Sequence, residues 1–328
     1  MKPTRFGLLG FLAVIAAISP ASPPSATAAE TVTMVTTGKG SAQQWPIFIA
    51  IAKGYMAENG ITLDLVAAPS SAAAAQQLAA GSANLESGGL TDPLLAIDKG
   101  AKIAVLRVET QVAPYSLWAK PAIKAIADLR GKLISIGGAT DITRIYLERT
   151  LIPNGVKPGE YDMIFAGTTG ARFAALSSGA VDASLLIPPF SFKAKGIGLS
   201  HLADVADYTR GLPFTGYATN IVWARAHKPL LLGFLNAMAK GVDRFYEDTN
   251  RNEAIDILVK ESSLSRSDVE ATYDYYRQLH VFDHRGSIES ATVSNLIKAM
   301  QQMNDFDGPR EIGRFVDPEI TGLAAQVN

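Results

Sequence analysis

The fold class is decided by the stretch from residue 31 to residue 66, which reads TVTMVTTGKGSAQQWPIFIAIAKGYMAENGITLDLV. Its two ends, Thr31–Thr36 and Ile61–Val66, are short and rich in β-branched and apolar residues, which predicts two strands. Between them, Trp45–Glu58 has the pattern of a helix, and Asn59-Gly60 suits the left-handed residue that follows one. Strands separated by such a helix predict a βαβ unit in a largely parallel sheet, and therefore an α/β fold.

A helix-and-strand pattern further along the chain repeats itself after 98 positions. Pro69–Ala72 opens a helix pattern that runs to Gly81, and Gly167–Gly170 opens another that runs to Gly179. In both copies hydroxyl residues stand where a cap is needed, a glycine ends the helix, and a short strand follows. Any two βαβ units share some of these features. The functional interpretation is two similar lobes, each presenting a loop at the carboxyl end of a strand, where open α/β sheets bind ligands.

The repeat divides the chain into two expected lobes. Lobe 1 is predicted to comprise residues 29–118 and 220–328, and lobe 2 to comprise residues 119–219. The chain would thus cross between the lobes twice. Two such crossings form a hinge, which is what closure of two domains requires.

The second crossing is expected near Gly216–Thr219, after which Asn220–Trp223 is predicted to return to lobe 1 as a strand. From about Pro229 onward the chain is predicted to be mostly helical, because its apolar residues recur at helical spacing.

The first 28 residues have the layout of a secretory signal peptide. Lys2 and Arg5 are basic, residues 7–18 are apolar, and Ala26–Ala28 is a small-residue cleavage motif. We expect cleavage after Ala28 or Ala29, and export of the mature protein to the periplasm. The alternative is an uncleaved anchor, but the apolar run is shorter than the roughly 20 residues that span a bilayer.

Composition excludes several classes of function. Lysine and arginine total 30 against 31 acidic residues, and no basic cluster predicts a nucleic-acid surface. The chain contains no cysteine, which rules out disulfides, thiol catalysis and cysteine metal sites. His280 and His284 have a spacing that could bind a metal, but no third ligand is evident nearby, so no metal is expected. No nucleophile elbow, Walker A loop or dinucleotide fingerprint occurs, and we expect no enzyme activity.

Four segments, through their order and spacing, indicate a known family. They are Gly38–Ser41, Gly81–Gly89, Ile126–Lys132 and Gly137–Asp141. Together they resemble the periplasmic solute-binding proteins of ABC importers, in the branch typified by aliphatic sulfonate, taurine and nitrate binders. The resemblance covers the whole mature chain, with one departure. Sulfonate binders of this kind often carry Trp-Asp-Pro where this sequence has Ile187-Pro188-Pro189.

The resemblance implies a two-lobed type II periplasmic-binding-protein architecture, with two mixed sheets, flanking helices and a two-crossing hinge. It implies binding of a small organic anion, a sulfonate or a carboxylate, without chemical change. The implied partners are that ligand and the permease and ATPase of an ABC importer. No nucleic acid, metal or cofactor is implied, and the protein is expected to be a monomer.

Small anions suit the N-termini of helices, whose first N–H groups lack partners and carry partial positive charge. Three segments at the starts of predicted helices offer such groups: Gly138–Thr140, Ser41–Trp45 and Thr91-Asp92, which follows the pair Gly88-Gly89. Asp141 is expected to cap the helix that follows the first of these segments, since an aspartate at this position accepts hydrogen bonds from free N–H groups.

Charged and aromatic side chains complete the predicted site. Arg144 or Arg172 could supply a guanidinium fork for a carboxylate or sulfonate, although solvent exposure is the commoner position for such arginines, and Lys39 is a weaker candidate. Trp45 and Phe190 follow candidate loops and are expected to line the organic part of a ligand. The full predicted set is Ser41, Trp45, Gly89, Thr91, Gly138, Ala139, Thr140, Arg144, Thr169, Pro189, Phe190 and Tyr217.

Two other roles fit the same pattern. The binding protein could feed a sensor complex in place of an importer. It could also resemble the thiamine-precursor branch of this fold and bind a pyrimidine, although the enzymes of that branch use a cysteine-rich motif that this chain lacks.

Overall fold

The computed structural model describes most of the chain after the predicted signal peptide. The described residues are 1, 29–262, 264–286, 288, 290–306, 308 and 311–327. The predicted signal peptide, apart from residue 1, lies outside them. Within these ranges no helix is both long and apolar enough to cross a membrane.

Strands and helices alternate through the first two thirds of the chain, and helices follow. The strands are β1 (Glu30–Thr37), β2 (Ile61–Ala68), β3 (Leu85–Gly88), β4 (Ile103–Thr110), β5 (Ser116–Ala119), β6 (Leu133–Ile136), β7 (Asp162–Phe165), β8 (Ala183–Leu186), β9 (Ser200–Asp204) and β10 (Thr215–Asn220). The α-helices are α1 (Trp45–Ala52), α2 (Tyr55–Glu58), α3 (Ser71–Ala79), α4 (Thr91–Asp98), α5 (Ile142–Leu151), α6 (Thr169–Ser177), α7 (Phe190–Gly196), α8 (Ile221–Ala226), α9 (Lys228–Tyr246), α10 (Arg251–Ser262), α11 (Arg266–Leu279), α12 (Ser290–Gln302) and α13 (Pro318–Ala324).

The strands form two five-stranded mixed sheets with one topology. The first has the order β2-β1-β3-β10-β4 and the second the order β7-β6-β8-β5-β9. In each sheet the first three strands of the order run parallel, and the fourth pairs antiparallel with both of its neighbours. The predicted α/β class with two mixed sheets is confirmed, and the internal repeat corresponds to α3–β3 in one sheet and α6–β8 in the other.

The sheets correct the positions of the two crossings. We call residues 29–110 and 215–327 lobe 1, and residues 111–214 lobe 2, because β5 pairs in the second sheet and β10 in the first. The prediction placed Leu117 in lobe 1 and Tyr217 in lobe 2, and the structure places each in the other lobe. The chain crosses in the segments just before β5 and just before β10, where no strand pairing holds it.

The predicted strand at Asn220–Trp223 is wrong. The Asn220 side chain accepts hydrogen bonds from the backbone N–H groups of Val222 and Trp223 at 3.0 and 3.1 Å. Asparagine at this position caps α8, so the chain turns into a helix there and the strand lies before it. The single helix predicted over Trp45–Glu58 is likewise divided, because Gly54 has a φ of 77° and separates α1 from α2.

Trp45 lies in the core of lobe 1. Its side chain has no solvent exposure, and its indole Nε1–H donates to the backbone oxygen of Ala254 at 2.7 Å. Its ring packs edge-on against Phe245 and Tyr273, with centroids 5.2 and 5.6 Å away. The expectation that Trp45 lines a ligand is therefore corrected. The first turn of α1 directs this side chain toward α9 and α11, because burying so large an aromatic surface there stabilises the helical part of the lobe.

We predict that Trp45→Ala lowers the free energy of unfolding by about 3–5 kcal/mol, as expected for removal of a buried aromatic side chain. Urea denaturation followed by circular dichroism measures this change. Trp223→Phe is the control, because Trp223 is only partly buried and stacks on His227. If Trp45→Ala has the same free energy of unfolding as the wild type but loses ligand binding, Trp45 belongs to the binding site and not to the core.

Candidate functional site

A cavity of about 230 Å³ lies between the two lobes. Lobe 1 contributes Thr37, Gly38, Lys39, Gly40, Ser41, Ala42, Gln43, Ser71, Gly88, Gly89, Thr215, Ser262 and Leu264 to its wall. Lobe 2 contributes Tyr115, Asp141, Ile142, Gly167, Thr168, Thr169, Gly170, Arg172, Ile187, Pro188, Pro189, Phe190 and Phe214. Its position between two α/β sheets is typical of ligand sites in this class of fold.

Most of the wall comes from loops at the carboxyl ends of parallel strands. Gly38–Ser41 follows β1, Gly88–Gly89 ends β3, Gly167–Thr169 follows β7, and Ile187–Pro189 follows β8. Because these strands run parallel within each sheet, their carboxyl ends meet at one edge. The two lobes turn those edges toward each other, and the cavity lies between them.

The N-terminus of α6 faces the cavity. Thr168 caps this nine-residue helix, and its hydroxyl accepts from the Ala171 N–H at 3.4 Å. Thr168, Thr169 and Gly170 all line the cavity. The first N–H groups of a helix have no intrahelical partner and carry partial positive charge, which favours an anion at this wall.

Arg172, one turn into α6, adds a full positive charge beside that helix end. It is only 2% exposed, and its guanidinium donates to the backbone oxygens of Leu185 at 3.1 Å and Gly167 at 2.9 Å. It also donates to the Tyr115 hydroxyl at 3.2 Å and the Thr169 hydroxyl at 2.9 Å. These four partners are neutral oxygens, so they orient the guanidinium without neutralising it. The expectation that solvent exposure is the commoner position for Arg172 is corrected, because its hydrogen bonds hold it inside lobe 2.

Aromatic rings form the apolar part of the wall. Phe190 packs against Phe173 with centroids 5.5 Å apart, and Tyr115 packs edge-on against Phe214 at 5.3 Å. Gly170 leaves room for Phe190, since a Cβ at Gly170 would lie 3.3 Å from its ring. A cavity with apolar rings and a few oriented polar groups can hold the organic part of a small ligand.

Carboxyl and hydroxyl groups of both lobes meet at another part of the wall. The Ser71 hydroxyl lies 2.5 Å from Asp92 Oδ2 and 2.8 Å from Asp141 Oδ2. The Thr140 hydroxyl donates to Asp92 Oδ1 at 2.6 Å. Two of these contacts, Ser71–Asp141 and Thr140–Asp92, join lobe 1 to lobe 2. Burial raises the pKa of Asp92, while hydrogen bonds from the two hydroxyls lower it.

Glu86 lies behind this wall on β3 and is 1% exposed. Burial raises the pKa of its carboxyl well above the ordinary value, and the negative charge of Asp92 raises it further. Neither carboxyl oxygen has a hydrogen-bond partner among the described residues. An unpaired buried carboxylate is costly, so this group holds its proton unless a positive charge or a donor approaches.

Five of the predicted ligand-binding residues line the cavity: Ser41, Gly89, Thr169, Pro189 and Phe190. Their contact with a ligand stays a prediction. Asp141 caps α5 as expected, accepting from the Thr143 N–H at 2.9 Å, and it also lines the cavity.

The other predicted residues lie away from the cavity. Tyr217 is fully buried in lobe 1 against Phe234, with ring centroids 5.8 Å apart, because β10 belongs to the first sheet. Thr91 is fully buried in the first turn of α4. Arg144 pairs with Glu148 at 3.3 Å and with Asp305 at 2.9 Å, so its charge is satisfied elsewhere.

The prediction that the turn Gly138–Thr140 contacts the ligand is also corrected. The Thr140 side chain turns to Asp92 in the other lobe, and the backbone oxygen of Ala139 accepts from Arg144 at 3.3 Å. The turn therefore lies along the contact between the lobes, and Asp141 and Ile142 reach the cavity instead.

Sequence reasoning missed several residues of the wall, among them Thr37, Ser71, Gly88 and Thr168. Ser71 and Thr168 carried a usable signal, because both stand at helix starts that the internal repeat aligns. Ser262 and Leu264, from the end of α10 and the segment after it, carried none, since only the packing of α10 brings them to the cavity. Among the described residues, no group of three or more His, Asp or Glu side chains could hold a metal ion.

The family comparison covers most of the chain. A family model described as NMT1/THI5 like matches residues 41–251. No protein of curated function matches the chain significantly in sequence.

Solved structures match it closely in fold. The alkanesulfonate-binding protein SsuA from Xanthomonas axonopodis pv. citri, bound to MOPS, has a TM-score of 0.73 at 16% identity, over 90% of this chain and 99% of that one. The periplasmic aliphatic sulphonate binding protein SsuA from Escherichia coli has a TM-score of 0.70 at 17% identity, over 88% and 92%. The periplasmic nitrate-binding protein NrtA from Synechocystis PCC 6803 has a TM-score of 0.69 at 11% identity, over 91% and 86%. At these identities the likeness establishes the fold, and it confirms the predicted architecture.

We predict that Glu86→Gln gains stability relative to the wild type as the pH rises. A carboxyl whose folded pKa is raised binds more protons in the folded state, so the wild type loses stability as pH rises from the ordinary carboxyl range, about 4.3, toward the folded pKa. Glutamine does not titrate and avoids this loss. Chemical denaturation of the ligand-free protein at several pH values between about 5 and 8 measures the difference.

Glu58→Gln is the control for this series, because Glu58 is exposed and pairs with Lys240 on the surface. Its stability difference from the wild type is the reference with which the Glu86→Gln difference is compared. If the stability difference between Glu86→Gln and the wild type changes with pH no more than the Glu58→Gln difference does, the raised pKa of Glu86 is contradicted.

Proposed function

The chain belongs to the NMT1/THI5-like family, and from this and from its cleft we propose that it is an extracytoplasmic solute-binding protein that delivers a small organic anion to an ABC importer. One observation carries the proposal. A cavity between two α/β lobes has on its wall a helix N-terminus and a buried arginine that has no acidic partner among the described residues. The sulfonate-binding and nitrate-binding structures with the same fold support it.

The anion is expected at the start of α6. There Thr169, Gly170 and Arg172 all line the cavity, and the first N–H groups of the helix have no intrahelical partner. A carboxylate or sulfonate has several oxygens, and it can accept from both kinds of donor at once. The rings of Tyr115 and Phe190 would cover the organic part of the ligand.

Closure of the lobes would bury the ligand and produce the form that the permease recognises. The lobes touch around the cavity: Lys193 of lobe 2 pairs with Asp268 of lobe 1 at 3.3 Å, and the Phe192 ring packs against Tyr275 at 5.9 Å. One of these contacts is ionic and the other aromatic, and interfaces between domains of one chain commonly use such contacts.

The proposal includes a periplasmic location, which the predicted signal peptide and the periplasmic proteins of the same fold support. A binding module of a sensor complex is the second candidate, since the same cleft would serve it. The neighbouring structures do not favour the thiamine-precursor alternative, and it is not part of the proposal. We propose a binding role without catalysis.

We predict that a small organic anion stabilises the mature protein in a thermal-shift screen of sulfonates, carboxylates and nitrate. A ligand at 100 times its dissociation constant adds about 2.7 kcal/mol to the free energy of unfolding. Titration calorimetry then measures the affinity of the best compound. Stabilisation by none of the anions would contradict the proposal.

Arg172→Met should weaken binding of that anion roughly 10- to 100-fold, because a hydrogen bond to a charged group contributes about 1.5–3 kcal/mol. Circular dichroism checks that the variant folds. Arg130→Met is the control, since Arg130 is exposed on the same lobe and donates to the Gly155 backbone oxygen. Wild-type affinity in a folded Arg172→Met protein would remove Arg172 from the site.

Gly167→Ala should weaken ligand binding by obstructing closure. Gly167 has a φ of +67°, and a Cβ there would lie 2.7 Å from the Pro69 backbone oxygen of lobe 1. Gly159→Ala is a matched control, because Gly159 also has a positive φ, +88°, but has nothing within 4 Å of that position. Small-angle scattering with and without ligand measures closure. If Gly167→Ala and Gly159→Ala become equally compact when ligand is added, the contact between Gly167 and Pro69 does not limit closure.

A further inference from the structure

Four polar side chains at the boundary between the lobes make more contacts than their own hydrogens can supply. They are Ser71 and Asp92 of lobe 1 and Thr140 and Asp141 of lobe 2, and we call them the interlobe cluster. Their oxygens meet in three places: Ser71 Oγ with Asp92 Oδ2 at 2.5 Å, Ser71 Oγ with Asp141 Oδ2 at 2.8 Å, and Thr140 Oγ1 with Asp92 Oδ1 at 2.6 Å. Each contact needs one hydrogen, but the two hydroxyls supply two and ionised carboxylates supply none.

The third hydrogen of the interlobe cluster has to sit on a carboxyl group. If Asp92 is protonated at Oδ2, it donates to Ser71, which then donates to Asp141; if Asp141 is protonated, the chain runs the other way. The other oxygen of Asp141, Oδ1, is already occupied, because it accepts from the N–H and the hydroxyl of Thr143. Both arrangements contain one proton that the two carboxyls share, so Asp92 and Asp141 titrate as a pair.

We infer that closure of the lobes takes up one proton from solution, which Asp92 and Asp141 share through Ser71. The inference rests on the proposed function and adds a condition to it: the protein binds its anion together with a proton, so its affinity is greater in acidic solution. Two of the three contacts cross between the lobes, and opening breaks both. Asp92 then keeps the Ser71 hydrogen and Asp141 returns to water, so the open form does not need the third hydrogen.

The surroundings of the pair favour the extra proton in the closed form. Asp92 is 6% exposed, and burial raises the pKa of its carboxyl. The hydroxyls of Ser71 and Thr140 lower this pKa, whereas the charge of Asp141 raises it. Glu86, on β3, adds to the effect, because it and Asp92 repel each other when both are ionised. The other titratable or charged groups around the pair are Tyr115, Tyr146, Arg172 and Lys39.

The cations of the cavity wall do not replace that proton. Arg172 donates to four neutral oxygens, none of which belongs to the interlobe cluster, and Lys39 is exposed. Burial raises the pKa of Tyr115 and of Tyr146, so both phenols are neutral. An anion bound at Arg172 would bring further negative charge into the cavity, which favours the protonated pair.

The direction of the pH dependence follows from the uptake. A carboxyl whose pKa is higher in the closed form than in the open form binds a proton on closure at any pH between the two values. The lower limit of this window is the ordinary aspartate pKa, about 3.9. Affinity is therefore greatest at the acidic end of the window and falls as the pH rises through it, by up to about 10-fold per pH unit.

Titration calorimetry with ethanesulfonate, benzenesulfonate and nitrate tests the inference, because these anions of strong acids keep their charge between about pH 4.5 and about pH 7.5. We expect at least one of them to bind, and to bind at least about 5-fold more tightly at the acidic end of this range than at the other. Titrations in buffers of different ionisation enthalpy count the protons, and the uptake should approach one proton per bound anion. Binding that is independent of pH and takes up no proton would overturn the inference and leave the proposed function standing. Binding of none of the three anions would overturn both.

Asp92→Asn tests the residue assignment. The amide of asparagine always has a hydrogen where the carboxyl has one only when protonated. This variant should bind the anion at about pH 7.5 as tightly as the wild type does at about pH 4.5, without proton uptake. Asp141→Asn should behave in the same way and takes the place of Asp92→Asn if circular dichroism shows that the latter does not fold. Wild-type proton uptake in a folded variant of either kind would overturn the inference.

Two further variants are the controls. Asp162→Asn changes an exposed carboxyl of β7 and should keep the proton uptake of the wild type. Glu86→Gln should also keep it, because neither carboxyl oxygen of Glu86 has a hydrogen-bond partner among the described residues that closure could change. Uptake that disappears in Glu86→Gln but persists in Asp92→Asn would assign the proton to Glu86 and overturn the inference.

Discussion

The shared direction of the parallel strands is the constraint on which the rest of the structure depends. Three strands in each sheet run parallel, so their carboxyl ends and the loops that follow meet at one edge. The fourth strand of each sheet, β10 or β5, runs antiparallel beside them and begins just after a crossing between the lobes. The two loop-bearing edges therefore face each other across the connection, and the cavity occupies the space between them.

Charge within that cavity is arranged by the same topology. The repeat places a capped helix after the second parallel strand of each sheet, α3 in lobe 1 and α6 in lobe 2. The start of α6 carries Arg172 and favours negative charge, whereas the start of α3 carries Ser71, which is shared between two aspartates. The two copies of the repeat thus place different chemistry on the cavity wall, because residues at corresponding positions differ: α3 has Ala74 where α6 has Arg172.

Some contacts between the lobes use residues of the cavity wall. Ser71 and Asp141 both line the cavity and bond across the lobes, and Gly167 approaches the Pro69 backbone where any side chain would intrude. Under the proposed function, a ligand in the cavity would touch the same side chains that join the lobes, so binding would favour the closed arrangement.

The sequence by itself determined the α/β class, the repeat, most of the helix starts and the cap at Asp141, because these depend on apolar spacing and on hydrogen bonds between residues a few positions apart. It also placed Ser41, Gly89, Thr169, Pro189 and Phe190 near the cavity, since they stand in loops after strands. Only the tertiary structure decided that Trp45 and Tyr217 pack in the core, that Arg172 turns inward, and that Ser71 meets Asp141. Those outcomes depend on strand order and on the packing of one lobe against the other. Residues 70 positions apart come together through that packing, and no local pattern records it.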